Sequence, residues 1–138
     1  LVECRACNCN LLLNTGLKGD GTVRDIDKCI LTEIGNWIRT NKNFVYSARH
    51  SAVVADNATT LSDGNYCYAV VRNVPVSGDE NVNRRLAKTV VTLDGKIKRA
   101  TWLDSGEAVE LAAPNAFVVK PFDYGTSGAL RVAKIKLR

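Results

Sequence analysis

Few residues of this chain have a type and spacing that could do chemistry. His50 is the single histidine, in the stretch "YSARHSA", and no nucleophilic triad can be built around it. A lone imidazole in such a polar stretch reads as a surface or hinge residue. Asp104, Glu107 and Glu110 lie near a Ser105-Gly106 turn signal, where solvated turn residues are the default rather than a general acid/base pair. The stretch "GLKGDGT", from Gly16 to Thr22, holds three glycines and a lysine ahead of a helical pattern. Such loops can cradle phosphate at a helix N-terminus. This one matches neither the dinucleotide nor the P-loop spacing, and Asp25 and Asp27 in the next turn would repel phosphate. A shaped turn is the better account.

The five cysteines are Cys4, Cys7, Cys9, Cys29 and Cys67. An odd number at irregular spacing is a poor disulfide framework and fits a reducing compartment, which points to the cytoplasm. "CRACNC" with Cys29 matches no common zinc module. Cys7 and Cys9 would share one face of an expected strand while Cys4 points the other way, so small buried hydrophobes are expected rather than metal ligands. Asn57-Ala58-Thr59 is a glycosylation sequon, with meaning only in a secretory pathway. No catalytic residue, metal ligand or cofactor is assigned on these grounds.

The elements that must position these residues change character along the chain. "NLLLN", residues 10–14, reads as a short strand buried on both faces, spanning about 8–14. Ile26, Ile30, Ile34, Trp37 and Ile38 then repeat at helical spacing, predicting a helix over about 24–41. Thr22 with Asp25 forms a capping-box variant at its start, and Asn41 or Asn43 can end it in a left-handed conformation. After Ser47 the pattern becomes short β-rich runs: "NYCYAVVRNV", "RLAKTVVTL", "KIKRATWL", "AVELAA", "AFVVKPF" and "ALRVAKIKL". Turn signals at Asp63-Gly64, Ser77-Gly78, Asp94-Gly95, Ser105-Gly106 and Gly125 to Gly128 separate them, which predicts an antiparallel sandwich. Asp94-Gly95 is the clearest two-residue hairpin signal. The expected fold class is mainly β: a sandwich over 49–138 preceded by one β–α unit over 1–48.

Composition narrows the function classes. The chain has 138 residues, 46% hydrophobic and 24% charged, with no apolar run near the roughly 20 residues needed to span a bilayer, so no membrane partner is expected. Its start, inside an apolar run and without methionine, reads as a piece of something longer. The net charge of +5 raises nucleic acid as a partner. But residues 1–50 carry seven basic and five acidic side chains and residues 51–138 twelve and nine, interspersed, with "KIKLR" the largest basic cluster. A mildly cationic surface, with no nucleic acid, is the reading.

One resemblance is specific. "NLLLNTGLKGDGTVRDIDKCILTEIGNWIRTNKNFVYSAR" is similar to the end of the catalytic barrel in the retaining α-L-fucosidases, densely over residues 8–49 and by topology beyond. The strand, Asp20-Gly21, Ile34-Gly35, Trp37, Asn41 and Tyr46 fall in register with the family pattern. Leu17 stands where the family has proline, Cys9 and Lys42 where it has glycine, and Asn43 where it has glutamate. If the family glycine at 42 has φ > 0, lysine there costs on the order of 1 kcal/mol. The resemblance implies the last strand and helix of a (β/α)₈-like barrel, then a C-terminal β-sandwich. It also implies hydrolysis of α-L-fucosyl linkages with retention in a parent enzyme, by two carboxylates about 5 Å apart. Those carboxylates come from earlier barrel strands, so this chain by itself is expected to be inert. Asn14, Thr15 and Gly16, at the C-terminal end of the last strand, become candidates for the rim of a fucose pocket.

The partners implied are a fucosylated glycan, reached through the parent enzyme, and the missing barrel. An unpaired apolar strand is an aggregation hazard, so residues 8–14 are expected either to pack on the sandwich beside the helix or to pair with another chain in a homo-oligomer. The rival reading is a non-catalytic carbohydrate-binding or protein-interaction sandwich, for which Trp102 and Tyr124 are candidate sugar-stacking aromatics beside Tyr66, Tyr68, Phe117 and Phe122. For Trp102, burial in the sandwich core is the favoured alternative.

Overall fold

The structure, a computed structural model, describes residues 1–72, 74, 76–77, 89–119, 122–123 and 130–138. Three helices open it: α1 (Val2–Ala6), α2 (Asp25–Thr40) and α3 (Lys42–Ser47). Ten strands follow: β1 (Arg49–His50), β2 (Ala58–Ser62), β3 (Cys67–Val71), β4 (Val76–Ser77), β5 (Thr89–Thr92), β6 (Ile97–Trp102), β7 (Leu111–Ala113), β8 (Ala116–Val119), β9 (Phe122–Asp123) and β10 (Arg131–Leu137). An antiparallel five-stranded sheet runs β1-β2-β3-β10-β6 and a three-stranded sheet β5-β8-β7, while β4 and β9 form a short parallel pair. The mainly β sandwich expected from the sequence is present.

The central strand β3 is buried at all five positions, and its two faces serve two cores. Cys67, Ala69 and Val71 meet Val91, Phe117 and Val119 of the smaller sheet together with Ala133 and Ile135 of β10. Tyr68 and Val70 point the other way, to Phe44, Val45, Val2 and Val132 under the helices. The period-2 geometry of a strand does this sorting, and a strand buried on both faces reads as a continuous apolar run. "CYAVV" is such a run. Sandwich and helical layer therefore share one sheet.

Several local expectations are corrected. Residues 9–16 form no strand, and Leu11, Leu12 and Leu13 are exposed, Leu12 by 83%. A strand must pair its backbone with a neighbour, and residues 9–16 belong to none of the described sheets. Upstream, Cys4 lies in α1 and Cys7 ends it, so these cysteines are not strand residues. Asn8 takes φ +54, the Cys9 N–H donates to the Cys4 carbonyl at 2.7 Å, and that of Asn8 donates to Arg5 at 3.2 Å. This is a Schellman cap with asparagine in the left-handed position. Cys7, Cys9 and Cys29 are exposed, Cys4 is half-buried and Cys67 alone is buried, so the small buried hydrophobe reading holds only for Cys67.

Thr22 does not cap α2. Its amide and hydroxyl both donate to Asp20 Oδ1, at 2.9 and 2.7 Å, and Arg24 stands at the N-cap without a side-chain capping bond. Asn41 ends α2 at φ −107°, not left-handed, with its Nδ2 donating to the Trp37 carbonyl at 2.9 Å. Lys42 begins α3 directly and is not among the positive-φ residues, so the lysine carries no left-handed strain. Asp94-Gly95 is no hairpin: β5 pairs with β8 and β6 with β10, so this turn carries the chain from one sheet to the other. Gly95 lacks the positive φ that a two-residue hairpin turn demands. Asp63-Gly64 and Ser105-Gly106 do make tight turns, with φ +90 and +74 at the glycines. Ser77-Gly78 and Gly125 to Gly128 fall outside the described residues in whole or in part.

Candidate functional site

The helical layer leaves a large apolar groove, about 840 Å³. One wall is α2, through Cys29, Ile30, Ile34, Trp37 and Ile38; Leu1 and Val2 of the N-terminal segment and Leu11 and Leu13 supply the other, and Val70 and Leu130 the floor. α2 is amphipathic yet buries none of its residues fully. Ile26 and Ile30 are 61% and 50% exposed. The helix is moored at its C-terminal end. The Trp37 indole N–H donates to the Leu130 carbonyl at 2.8 Å, and its ring meets Phe44 edge-on at 5.9 Å. Phe44 in turn lies against Tyr68, ring centres 5.5 Å apart.

The polar and charged residues lining the groove are Glu3, Glu33, Thr59 and Arg72. Glu3 accepts a hydrogen bond from Thr59 at 2.8 Å and pairs with Arg72 at 3.4 Å, which ties α1 to β2 and β3. Arg5 donates to the carbonyls of Ala48 and Tyr46, at 2.6 and 3.2 Å, and fixes α1 to the end of α3. Glu33 accepts from Asn36 at 3.5 Å. Such a groove is suited to taking apolar side chains, not to acid/base work on a sugar.

Asn14 and Thr15 are exposed and Gly16 is half-buried; none of the three lines the groove. They lead into a closed turn in which Leu17 bridges Val23 and the Lys18 amide donates to Thr22 at 2.7 Å. Gly21 takes φ +81 there, which only glycine adopts readily. Hydrogen bonds from the Thr22 amide and then its hydroxyl hold the Asp20 carboxyl below the ordinary carboxylate range. The Arg24 guanidinium does the same for Asp27, helped by the Gly16 amide against a small desolvation cost. Lys18 pairs with Asp25 at 2.9 Å. The lysine of "GLKGDGT" thus has a carboxylate partner. His50, in β1, meets the Ala6 carbonyl at 3.0 Å through Nδ1.

Trp102 is buried in the sandwich. Phe117 meets its ring edge-on at 6.0 Å and the Arg131 guanidinium covers it at 4.2 Å. A sugar would have to displace both, so the core reading holds and the stacking reading of Trp102 does not. Phe117 and Tyr68 are also buried. Tyr124 lies outside the described residues. Sequence reasoning missed the groove, although the five-residue stripe on α2 was its signal.

Comparison with known proteins finds the same fold in solved α-L-fucosidases. Over 99% of its length the chain superposes on 32% of an α-L-fucosidase isoenzyme from Paenibacillus thiaminolyticus (TM-score 0.71, 23% identity). It likewise superposes on 30% of an α-L-fucosidase from Bacteroides thetaiotaomicron trapped as a covalent intermediate (TM-score 0.68, 25% identity). The sequence profile of the α-L-fucosidase family matches residues 1–43. The plasma α-L-fucosidase of Rattus norvegicus is 30% identical over 123 residues, which cover 80% of this chain and 27% of the rat enzyme. The chain is therefore related to the α-L-fucosidases and resembles their C-terminal region. It spans about a quarter to a third of the length of these relatives.

Proposed function

We propose that this chain is the C-terminal part of a retaining α-L-fucosidase, a supporting sandwich that carries the last helix of the catalytic barrel. The observation that carries the reading is the position of its uncovered apolar surface. Of the twelve large hydrophobics exposed among the described residues, eight lie within 1–43, the segment that matches the family profile. Exposed apolar patches of this extent mark an interface. The occupant of the groove is the rest of the barrel, and residues 10–14 become its last strand. The domains divide at about residue 48, and Asn14, Thr15 and Gly16 then sit at the rim of the pocket. The covalent intermediate of the Bacteroides relative supports a double-displacement mechanism for the assembled enzyme. Its acid and nucleophile are supplied by the barrel, so the chain alone is inert. The exposed free cysteines support a reducing, cytoplasmic home.

The test has two arms. The purified 138-residue chain, offered an aryl α-L-fucoside, is expected to give no turnover above a buffer blank. A protein extended upstream along its gene is expected to hydrolyse the fucoside and to protect the amides of residues 26–38 from hydrogen exchange. Turnover by the chain alone, or an active extended protein whose α2 face stays unprotected, overturns the reading.

A further inference from the structure

A second surface lies on β6 and β10, apart from the groove. Ile97 and Ala100 both belong to the sandwich core although they are three residues apart on β6. Strict alternation would put them on opposite faces. The register supplies the reason: Arg99 stands opposite Lys136 and Ile97 opposite Leu137, so Lys98 is an extra residue, a β-bulge in the edge strand of the five-stranded sheet. The bulge turns Lys98 and Arg99 outward in succession, and both are exposed. On β10, Lys134 and Lys136 alternate with the buried Ala133 and Ile135 and share that outer face. The Lys134 and Lys136 ammoniums crowd over the Tyr66 ring, at 4.0 and 5.2 Å, and Lys136 donates to the Asn65 carbonyl at 2.9 Å.

Among the described residues, Lys98, Arg99, Lys134 and Lys136 form no ion pair. One nearby carboxylate is Asp63, which feels the charge of Lys134 but is already taken by the Tyr68 hydroxyl at 2.6 Å and by the Asn65 and Tyr66 amides. Like charges on adjacent strands repel, and an anion placed among them relieves that repulsion. Lys134 and Lys136 are spaced about 6.7 Å along the strand and Arg99 about 4.8 Å across it. The result is two short rows of cations on one sheet face, one carrying a guanidinium fork suited to oxyanions.

We propose that this face binds a sulfated polysaccharide. A sheet face bearing closely spaced cations fits an extended chain of sulfate esters. It fits nucleic acid less well, because single strands need free aromatic platforms and the Tyr66 ring is capped by ammoniums. The choice of a glycan over another polyanion rests on the proposed glycosidase function; the cationic face does not.

Heparin is the probe, titrated into the full chain in about 0.1 M salt, with neutral dextran and a single-stranded DNA oligomer of matched charge as references. Replacing Lys98, Arg99 and Lys136 together by serine is expected to weaken heparin binding at least about tenfold and to cut the log–log salt slope by roughly 2 to 3. Replacing Lys28, Arg39 and Lys42, which removes the same charge elsewhere, is expected to cost less than about threefold. Heparin protection of residues 97–101 and 131–137 in hydrogen exchange on the unmodified chain supplies a readout independent of variant folding. Absence of heparin binding, equal losses in the two triple variants, protection elsewhere, or DNA binding as tight as heparin each overturns the proposal. None of these outcomes depends on fucoside hydrolysis, so the two readings fail separately.

Discussion

Replacing Trp37 by leucine tests how α2 is held. The indole N–H bond to the Leu130 carbonyl is worth about 0.5–1.5 kcal/mol net. The edge-on contact with Phe44 adds about 0.5–1.5 kcal/mol beyond area. The space left beside Phe44 costs roughly 1 kcal/mol more. The expected loss is therefore about 2–4 kcal/mol, felt first by α2, because no residue of that helix is fully buried. An isolated helix of 16 residues is marginal in water. The assay is amide hydrogen exchange under native conditions. Protection of residues 34–41 should fall by about 30- to 1000-fold, at 1.36 kcal/mol per decade, while β3 and β10 lose much less. Ile30→Ala, at a half-exposed site on the same helix, should move protection by less than about threefold. A Trp37→Leu effect as small as that of Ile30→Ala would refute the single-mooring argument.

Phe44, 1% exposed between Trp37 and Tyr68, should cost about 3–5 kcal/mol in urea unfolding when replaced by alanine. Leu11→Ser with Leu13→Ser should leave the stability of the chain within about 0.5 kcal/mol, since both side chains are exposed, and a larger loss would make them core instead of a docking surface. Burial pushes the Cys67 thiol up to about 11, so iodoacetamide at pH 8 should alkylate Cys7, Cys9 and Cys29 in the native protein and spare Cys67, as mass spectrometry would read. Partial burial raises the Asp63 carboxyl, but the Tyr68 hydroxyl and the Tyr66 and Asn65 amides outweigh it and hold the carboxyl below its ordinary value. A depressed folded value adds stability above about pH 4 that is lost as pH falls through it. Tyr68→Phe removes one donor, so its Tm deficit should be smaller at pH 3 than at pH 7; a deficit that widens in acid would contradict this.

The sandwich was legible because its signals are local. "CYAVV" and "AFVV" are short β-branched and aromatic runs, and the glycines of Asp63-Gly64 and Ser105-Gly106 take the positive φ those turns need. Asp94-Gly95 misled because the same dipeptide serves a sheet-to-sheet crossing, where the Asp94 amide donates to the Val54 carbonyl and Leu93 to Asn115. Which strand pairs with which is decided by the long-range fit of two sheets, to which a turn signal is blind. The bulge at Lys98 had a readable trace, since apolar Ile97, Ala100 and Trp102 break the period of two. Asn8 was the unread signal of a helix C-cap, hidden because the preceding "VECRA" is too short to show a helical period.

The failure of "NLLLN" to form a strand, beside the success of α2, has one cause. A helix closes its hydrogen bonds within itself, so α2 exists with its apolar stripe uncovered. A strand borrows its partners, so residues 10–14 have the composition of a strand but not its structure. Their exposures also say what the borrowed partner must look like. Leu11 and Leu13 line the groove, while Leu12 is 83% exposed on the far side. Once extended, alternate residues face opposite ways, so α2 can cover one leucine face and leaves the other in water. Burying Leu12 as well requires a second apolar layer beyond the strand, and pairing its backbone requires a strand on at least one edge. A barrel interior with flanking strands supplies both together, whereas one further helix laid in the groove would cover Leu11 and Leu13 only. Under the proposed reading, then, Leu12→Asp should leave this chain folded yet abolish assembly of the extended enzyme, the opposite pattern to Trp37→Leu, which loosens the chain itself.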